Sequence, residues 1–184
     1  MLFSKKNYFI PSFFFLIFLY SSCENDIAKV NLITAVNKLP SESGKNVEVI
    51  YSDSARVKIK LTAPVLNRFE GNNPYSEFPK GLVVLFYDET LNVKSKLTAN
   101  YAIRYERENR MEAKNDVVVI NAKGEKLNTE HLIWDEKKQI IYSKEFVKIT
   151  TADEIIMGEG FEANQTFTKY KINKIKGTIN LKDE

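Results

Sequence analysis

The sequence predicts an all-β fold, an open antiparallel β-jelly roll or sandwich built from repeated strand pairs. The main observation is a unit that recurs four times, with first halves that start at Leu61, Leu97, Leu127 and Ile156. The second half is a β-rich run that ends in an acidic turn and recurs in step with the first. A period of about 30 residues indicates one supersecondary unit stacked on copies of itself.

Proline placement and the absence of a helical pattern support this fold class. All five prolines lie at or before Pro79, and a proline would remove a ladder hydrogen bond from an interior strand. No segment after residue 47 has an apolar stripe with helical spacing. Without helices to cover a sheet, two sheets must pack on each other or one sheet must curl over itself.

The first 22 residues have the composition of a targeting segment. Lys5 and Lys6 precede an apolar run at residues 8–20, which is shorter than the roughly 20 residues of a membrane span and has the length of a signal-peptide core. Cys23, the single cysteine, follows two serines. This arrangement resembles a bacterial lipoprotein signal, which predicts removal of residues 1–22 and lipidation of Cys23. The alternatives are an ordinary signal peptide cleaved nearby and an uncleaved anchor.

The remaining chain divides into a tether and a strand domain. Residues 23–46 are predicted to be a lipidated N-terminal tether, because residues 24–26 are acidic, residues 40–44 are polar and turn-rich, and residues 27–39 between them have weak periodicity. Residues 47–184 are predicted to be the β-domain, since apolar and polar residues alternate from Val47 onward. Residues 70–75 look like a loop inserted in the first repeat. The highly charged stretch at residues 104–114 is predicted to be a wide hairpin, because it lies between two strand runs.

Composition argues against several kinds of chemistry. Lys5 and Lys6 account for two of the three net positive charges, so the rest of the chain gives no electrostatic case for nucleic-acid binding. One histidine and one cysteine make a metal site improbable, and His131 is expected to be an outward strand residue. No phosphate-binding glycine motif or nucleophile elbow is present. We therefore predict no cofactor, no metal and no enzymatic activity.

Paired carboxylates raise the question of glycoside hydrolysis, which uses two carboxyl groups facing each other across a sugar. Three of the four pairs recur at equivalent turns of the repeat, so solvated turn positions are the better interpretation. The pairs are Asp88–Glu89, Asp135–Glu136, Asp153–Glu154 and Asp183–Glu184.

Several segments resemble the OstA-like repeat in their order and spacing. They are residues 97–101 (Leu-Thr-Ala-Asn-Tyr), 116–119 (Asp-Val-Val-Val), 124–135, 158–163 and 172–177. Over about residues 47–182 the chain most resembles the LptC family. The resemblance implies a periplasmic, non-catalytic lipid conduit, which receives lipopolysaccharide from the LptB, LptF and LptG transporter and passes it to an LptA-like bridge. It also implies an open jelly roll whose groove carries the lipid A acyl chains.

Two expectations about location and partners accompany the resemblance. A lipid anchor on Cys23 would hold the protein at a membrane, with the inner membrane favoured over the outer one. Strand addition at sheet edges would bring residues 47–61 to the transporter and residues 170–181 to the bridge.

The candidate groove-lining residues share the dry register of the repeat strands. They are Leu97, Ala99, Tyr101, Ile103, Val117, Val119, Leu127, Thr129, Leu132, Trp134, Val147, Ile149, Phe161, Ile175 and Ile179. Plain core packing is the alternative role for each of them.

Other functions stay open at this point. One is a soluble LptA-like bridge, although a bridge has no need for an anchor at Cys23. Another is a surface lipoprotein with a β-sandwich that binds lipid, glycan or protein, which would require exposed aromatic platforms. A carbohydrate-acting enzyme is disfavoured by the turn positions of the carboxylates.

Overall fold

The computed structural model describes residues 39–181, and this part of the chain consists of strands, turns and loops. The predictions for the signal peptide, for lipidation of Cys23 and for most of the tether lie outside the described residues, as does the pair Asp183–Glu184. Within residues 39–181, no helix is long and apolar enough to cross a membrane.

Eleven strands form in the described part, and every pairing between them is antiparallel. They are β1 (Glu42–Asp53), β2 (Arg56–Phe69), β3 (Tyr75–Phe78), β4 (Leu82–Tyr87), β5 (Val93–Ala99), β6 (Tyr101–Tyr105), β7 (Arg110–Asn121), β8 (Lys126–Asp135), β9 (Ile140–Thr150), β10 (Glu154–Asn164) and β11 (Tyr170–Asn180). The predicted all-β class is confirmed.

The long strands bend at their middles and contribute to two layers. In β7, residues 118–121 pair with β5, whereas residues 110–114 pair with β6. In β2, residues 59–62 pair with β4 and residues 67–69 pair with β3. We call the layer that contains β4 and β5 layer 1, and the layer that contains β3 and β6 layer 2. One hydrogen-bonded sheet therefore folds over itself as an open sandwich.

Local chemistry accounts for the bends. Asn115 and Asp116 interrupt the β7–β8 register with φ values of 64° and 52°, in the left-handed region that asparagine and aspartate tolerate better than most residues. Pro64 lies at the bend of β2 opposite Asn46, which has a φ of 51°. A proline cannot donate to a ladder, so it is accommodated where the pairing is already irregular. Such irregularities bend a strand and increase its twist.

The core lies between the two layers. Layer 1 contributes side chains such as Val84, Leu127 and Ile149, and layer 2 contributes Leu132 and Ile141, all at most 1% exposed. The Phe86 ring of layer 1 meets the Trp134 ring of layer 2 edge-on, with centroids 5.2 Å apart. These two residues are on strands that do not pair, so the contact joins the layers across the interior.

The register of three predicted groove residues differs from the expectation. Asn100 lies between β5 and β6, and the dry face changes there by one residue, so that Ala102 is buried instead of Tyr101 and Ile103. In β11, Thr178 pairs with the inward Ile156, which leaves Ile179 on the outer side and 49% exposed. A one-residue shift exchanges the two faces of a strand.

Some of the predicted element boundaries agree with the structure and others differ. The charged stretch forms the β6–β7 hairpin, as predicted, with its turn at residues 106–109. The predicted loop ends at residue 74, because Tyr75 begins β3. Residues 42–46, assigned above to the tether, are the start of β1. In the described sheet β1 pairs only with β2 and β11 only with β10, which leaves one free edge at each end.

Candidate functional site

An open groove lies between the two layers on the side of β1 and β2, with a volume of about 1360 Å³. Small-molecule sites are typically about 300–1,000 Å³, so this groove is large for a metabolite. Its apolar wall residues in layer 1 are Val49, Tyr51, Ile59, Leu61 and Phe86, and those in layer 2 are Leu66, Phe78, Met111 and Trp134.

Among residues 39–181, the inward side chains at the C-terminal half of β1 are only partly covered by the opposite layer. Val49 pairs with Leu61 and Tyr51 pairs with Ile59, so both face the interior. They are nevertheless 46% and 60% exposed. Deeper in the groove, Leu61 and Phe86 are buried. The result is an apolar floor that opens to solvent along the β1 edge.

Trp134 stands where the groove meets the packed core. It is 7% exposed, and its Nε1 atom has no hydrogen-bond partner among the described residues. It is also the one tryptophan of the chain. The tryptophan fluorescence of the chain therefore comes from this one position on the groove wall.

An ionic cluster lies on the layer 2 wall of the groove. The Arg104 Nε and Nη2 atoms donate to the two Glu136 carboxylate oxygens at 2.7 and 2.9 Å, and Arg104 Nη1 donates to Glu106. Ser76 Oγ donates to Glu106 at 2.9 Å. The hydrogen bonds and charge of Glu136, with the charge of Glu106, raise the pKa of Arg104. The guanidinium is therefore held in a fixed, fully charged position on the layer 2 wall, beside the apolar side chains of Phe78, Met111 and Trp134.

The rim of layer 1 is a charged turn between β4 and β5. Asp88 Oδ1 accepts hydrogen bonds from the backbone N–H groups of Asn92 and Thr90 and from the Thr90 hydroxyl, at 2.8–2.9 Å. These hydrogen bonds, of which the one from the Asn92 N–H has the largest effect, lower the pKa of Asp88 to about 2. Lys94 Nζ lies 3.7 Å from Asp88 Oδ2. Asp88 thus has the predicted role of a turn carboxylate.

The groove ends at the loop between β10 and β11. We call residues 165–169 the strap; Gln165, Thr166 and Thr168 line the groove. Phe167 turns inward, is fully buried, and packs against Phe161 and Tyr170 with ring centroids 5.8 and 5.2 Å away. The space between the layers beyond the strap is filled by core side chains. The groove is therefore open toward β1 and closed toward β11.

The predicted groove residues fall into three groups. Buried side chains of the packed core form the largest: Leu97, Ala99, Val117, Val119, Leu127, Thr129, Leu132, Val147, Ile149 and Phe161. Trp134 alone lies on the groove wall. Tyr101, Ile103 and Ile179 are on outer faces, and Ile175 is 62% exposed on the edge strand β11. Contact of any of them with a ligand stays a prediction.

Sequence reasoning missed the groove residues of β1 and β2. Val49, Tyr51, Ile59 and Leu61 showed the required alternation, but residues 47–61 were assigned to partner contact alone. Leu66 follows the bend of β2 and Met111 precedes the bend of β7, and the alternation reveals neither bend. The signal that could have identified these residues is the apolar face of β1, an edge strand that pairs only with β2 in the described sheet.

His131 is on the outer face of layer 2, as predicted. Its Nε2 atom is 3.2 Å from Glu112 Oε2, and Lys114 Nζ is 2.9 Å from the same oxygen. Among residues 39–181, no cluster of three or more histidine, cysteine, aspartate or glutamate side chains could hold a metal ion. The cluster around Glu112 is thus an ion-pair network on a sheet surface.

Comparison with known protein families gives a match. A family model described as "Lipopolysaccharide-assembly, LptC-related" matches residues 13–180, which is most of the chain. No curated protein sequence matches. The match agrees with the resemblance drawn from the repeats.

Proposed function

The chain belongs to the LptC-related family of lipopolysaccharide-assembly proteins, and from this premise we propose that its groove holds the acyl chains of lipopolysaccharide during transport. The observation that carries the proposal is the apolar groove between the layers, with exposed Val49 and Tyr51 on one wall and Trp134 on the other. The family makes the protein a lipopolysaccharide-transport component; the groove supplies a place for the lipid.

Burial of apolar surface provides the driving force. Each methylene removed from water contributes about 0.8 kcal/mol, so a chain of about a dozen carbons gains on the order of 10 kcal/mol when fully buried. The groove is open along one side, and that opening lets a lipid enter sideways while its polar part stays in water.

The charged groups favour one orientation of the lipid. Arg104 and its two glutamate partners lie on the layer 2 wall, and Asp88 and Lys94 lie on the layer 1 rim. Placing an acyl chain against an ionised group costs free energy because the charge loses solvent. The acyl chains therefore occupy the floor near Leu61 and Phe86, and the sugars project past the rim. No bond is made or broken in this role.

The two free edges suggest how the protein joins its partners. Among the described strands, β1 pairs with β2 alone and β11 with β10 alone, and such edges favour addition of a strand from another protein. In this proposal β1 faces the LptB, LptF and LptG transporter and β11 faces an LptA-like bridge. A lipid anchor on Cys23 keeps the protein on the periplasmic side of the inner membrane. Lys171, Lys174 and Lys176 make β11 a poor site for indiscriminate aggregation.

Two adjacent residues of β1 allow a matched test. Val49 faces the groove, and Ile50 points to the opposite side of the same strand at a similar exposure, 53%. A photo-crosslinking residue at position 49 is expected to give a lipopolysaccharide adduct that requires ATP hydrolysis by the transporter. The same residue at position 50 is expected to give little or none. Equal adducts at both positions, or no adduct at position 49, would contradict the proposal.

A further inference from the structure

We propose that the outer face of layer 1 docks on the surface of a membrane that contains anionic phospholipids, with the lysines of that face against the lipid phosphates. This face lies on the opposite side of layer 1 from the groove. Docking there is therefore separate from lipid binding in the groove and does not depend on it.

One row of residues crosses the whole outer face of layer 1. The register aligns one residue from each of nine strands, and from β1 to β8 aliphatic side chains alternate with lysines. In order from β1 to β11, the row consists of Ile50, Lys60, Leu85, Lys96, Ile120, Lys126, Thr150, Ile155 and Ile179. Their neighbours along the strands, such as Leu61, Leu97 and Leu127, are buried in the core. The row is therefore on the outer face, because successive side chains of a strand point to opposite faces.

A second row on the same face adds a fourth lysine and one carboxylate. It consists of Glu48, Thr62, Val83, Thr98, Val118, Asn128, Lys148, Met157 and Gly177. Glu48 is already paired, since the Lys60 Nζ atom lies 2.7 Å from its Oε2 atom. Lys96, Lys126 and Lys148 are exposed, and among residues 39–181 none of the three forms an ion pair. The two rows therefore carry three lysine charges beyond the Lys60–Glu48 pair.

Two carboxylates at the ends of this face have hydrogen-bond donors of their own. Glu125, in the turn before β8, accepts a hydrogen bond from Asn121 Nδ2 at 2.6 Å. Glu130, opposite the bend of β7, accepts one from the backbone N–H of Asp116 at 3.2 Å. The charges that the middle of the face offers to a partner are therefore those of its lysines.

The outer face of layer 2 differs because its cations are paired within the face. The Arg110 Nε atom lies 2.7 Å from Glu108 Oε2, and Arg110 Nη1 also bonds Glu112. The Lys114 Nζ atom lies 2.9 Å from Glu112 Oε2. An anionic surface on layer 2 competes with these carboxylates, whereas on layer 1 it meets lysines that the described residues leave unpaired. Charge complementarity therefore favours layer 1.

The aliphatic side chains of the first row favour a phospholipid surface over a soluble anion. Ile50, Ile120 and Ile179 are 53%, 38% and 49% exposed, and their burial among headgroups and acyl chains removes apolar surface from water. A lysine between them lays its methylene stem along apolar surface while its ammonium group stays at the polar boundary. A phospholipid surface offers phosphates and apolar chains together, and a soluble anion offers charge alone.

Sheet twist confines the contact to the middle of the face. Neighbouring strands rotate by roughly 20–25° relative to one another, so the two ends of the row do not lie in one plane. Contact is therefore centred on β5, β7, β8 and β9, which carry Lys96, Ile120, Lys126 and Lys148. In the docked position the free edges of the sheet run along the membrane. A bridge attached at β11 has to lead away from the membrane, so docking precedes its attachment.

Lysine labelling of the full-length chain on vesicles tests the proposal. The chain is reconstituted into vesicles of phosphatidylcholine alone and into vesicles of phosphatidylcholine mixed with phosphatidylglycerol, and a membrane-impermeant amine reagent is added. Peptide mass spectrometry gives the labelling rate at each lysine. Lys171, Lys174 and Lys176 on β11 are also exposed and serve as controls within the same molecules.

We expect labelling of Lys96, Lys126 and Lys148 to be at least about fivefold slower on the anionic vesicles than on the neutral ones, the factor that corresponds to the attraction of one lysine to such a surface. The β11 lysines are expected to react at similar rates on both. Equal rates at the layer 1 lysines on the two kinds of vesicle, or equal slowing at the β11 lysines, overturns the docking face. Equal slowing by soluble glycerol phosphate with neutral vesicles overturns the membrane as the partner, in favour of a small anion.

Two double variants test whether the lysine charges hold the face on the membrane. Lys96→Gln with Lys126→Gln is expected to restore the labelling rate of Lys148 on anionic vesicles to its rate on neutral ones. Lys171→Gln with Lys174→Gln removes the same charge from β11 and is expected to leave Lys148 protected. All four substituted positions are exposed, where such changes have little effect on stability. Protection of Lys148 that survives in the first variant, or is lost in both, overturns the proposal.

Discussion

Replacing Phe167 by glycine is expected to destabilise the protein less than replacing it by alanine, which reverses the usual order. Phe167 is fully buried, so removal of its ring costs about 3–5 kcal/mol in either variant. Its φ of +53° costs an L-residue roughly 1–2 kcal/mol. Glycine escapes this cost but gives up about 0.5–1 kcal/mol of unfolded-state entropy. The balance leaves the glycine variant about 0.5–1 kcal/mol more stable.

Phe161 provides the matched control. It is 1% exposed, packs against Phe167, and lies in β10, where its φ is not positive. At this position glycine should be less stable than alanine by about 0.5–1 kcal/mol. The glycine-minus-alanine difference in unfolding free energy should therefore change by about 1–2 kcal/mol between positions 161 and 167. Equilibrium urea unfolding followed by Trp134 fluorescence measures it, and the same order at both positions would refute the role of backbone strain in the strap.

Four further outcomes are expected. Gly81→Ala should lower the unfolding free energy by about 1–3 kcal/mol, because φ is +78° and a β-carbon would lie 2.4 Å from a backbone carbonyl oxygen of the neighbouring strand. Gly124→Ala, at φ +81° in open space, should lower it less, and thermal unfolding of the two variants measures the difference. Asp88→Asn should lower the unfolding free energy at pH 7, because the lowered pKa of Asp88 means that its carboxylate stabilises the folded state only while it is ionised. The difference in unfolding free energy between wild type and variant should therefore disappear as the pH falls from about 4 to about 2, and a difference that persists at pH 2 in urea titrations would contradict this. Arg104→Met should lower the unfolding free energy by about 1–3 kcal/mol, a range already reduced for the partial exposure of Arg104. Arg104→Lys should recover only part of this loss, because lysine cannot bond both oxygens of one carboxylate, and full recovery in the lysine variant would argue against the bidentate pair. Cys23→Ala should move the protein from the membrane to the soluble fraction, whereas continued membrane retention would count against lipidation.

The repeats predicted the strands well because a paired strand with one wet and one dry face imposes alternation on its sequence. Leu97 and Ala99 in β5, and Leu127 and Thr129 in β8, lie on the dry face as predicted. Alternation is a local property, and it does not record where a strand crosses from one layer to the other. The change at Asn100 is such a crossing, and it moved Tyr101 to the outer face.

The position of the groove was not predictable from alternation for a related reason. Inward residues have the same pattern whether the opposite layer touches them or stands apart. Val49 and Val147 both face the interior, yet Val49 is 46% exposed and Val147 is fully buried. The difference depends on which loops fold between the layers. Phe167 lies between the polar residues Thr166 and Thr168 in a loop, where no repeating pattern predicts its burial. The closed end of the groove is therefore visible only in the structure.

Quenching of Trp134 fluorescence tests whether acyl chains enter the groove. Trp134 is the only tryptophan and lies on the groove wall. Lipopolysaccharide with a spin label on an acyl chain should quench its fluorescence, and unlabelled lipopolysaccharide should reverse the quenching by competition. The same label on the sugar portion should quench far less. Equal quenching by the two labelled lipids, or none by either, would contradict binding of acyl chains in the groove.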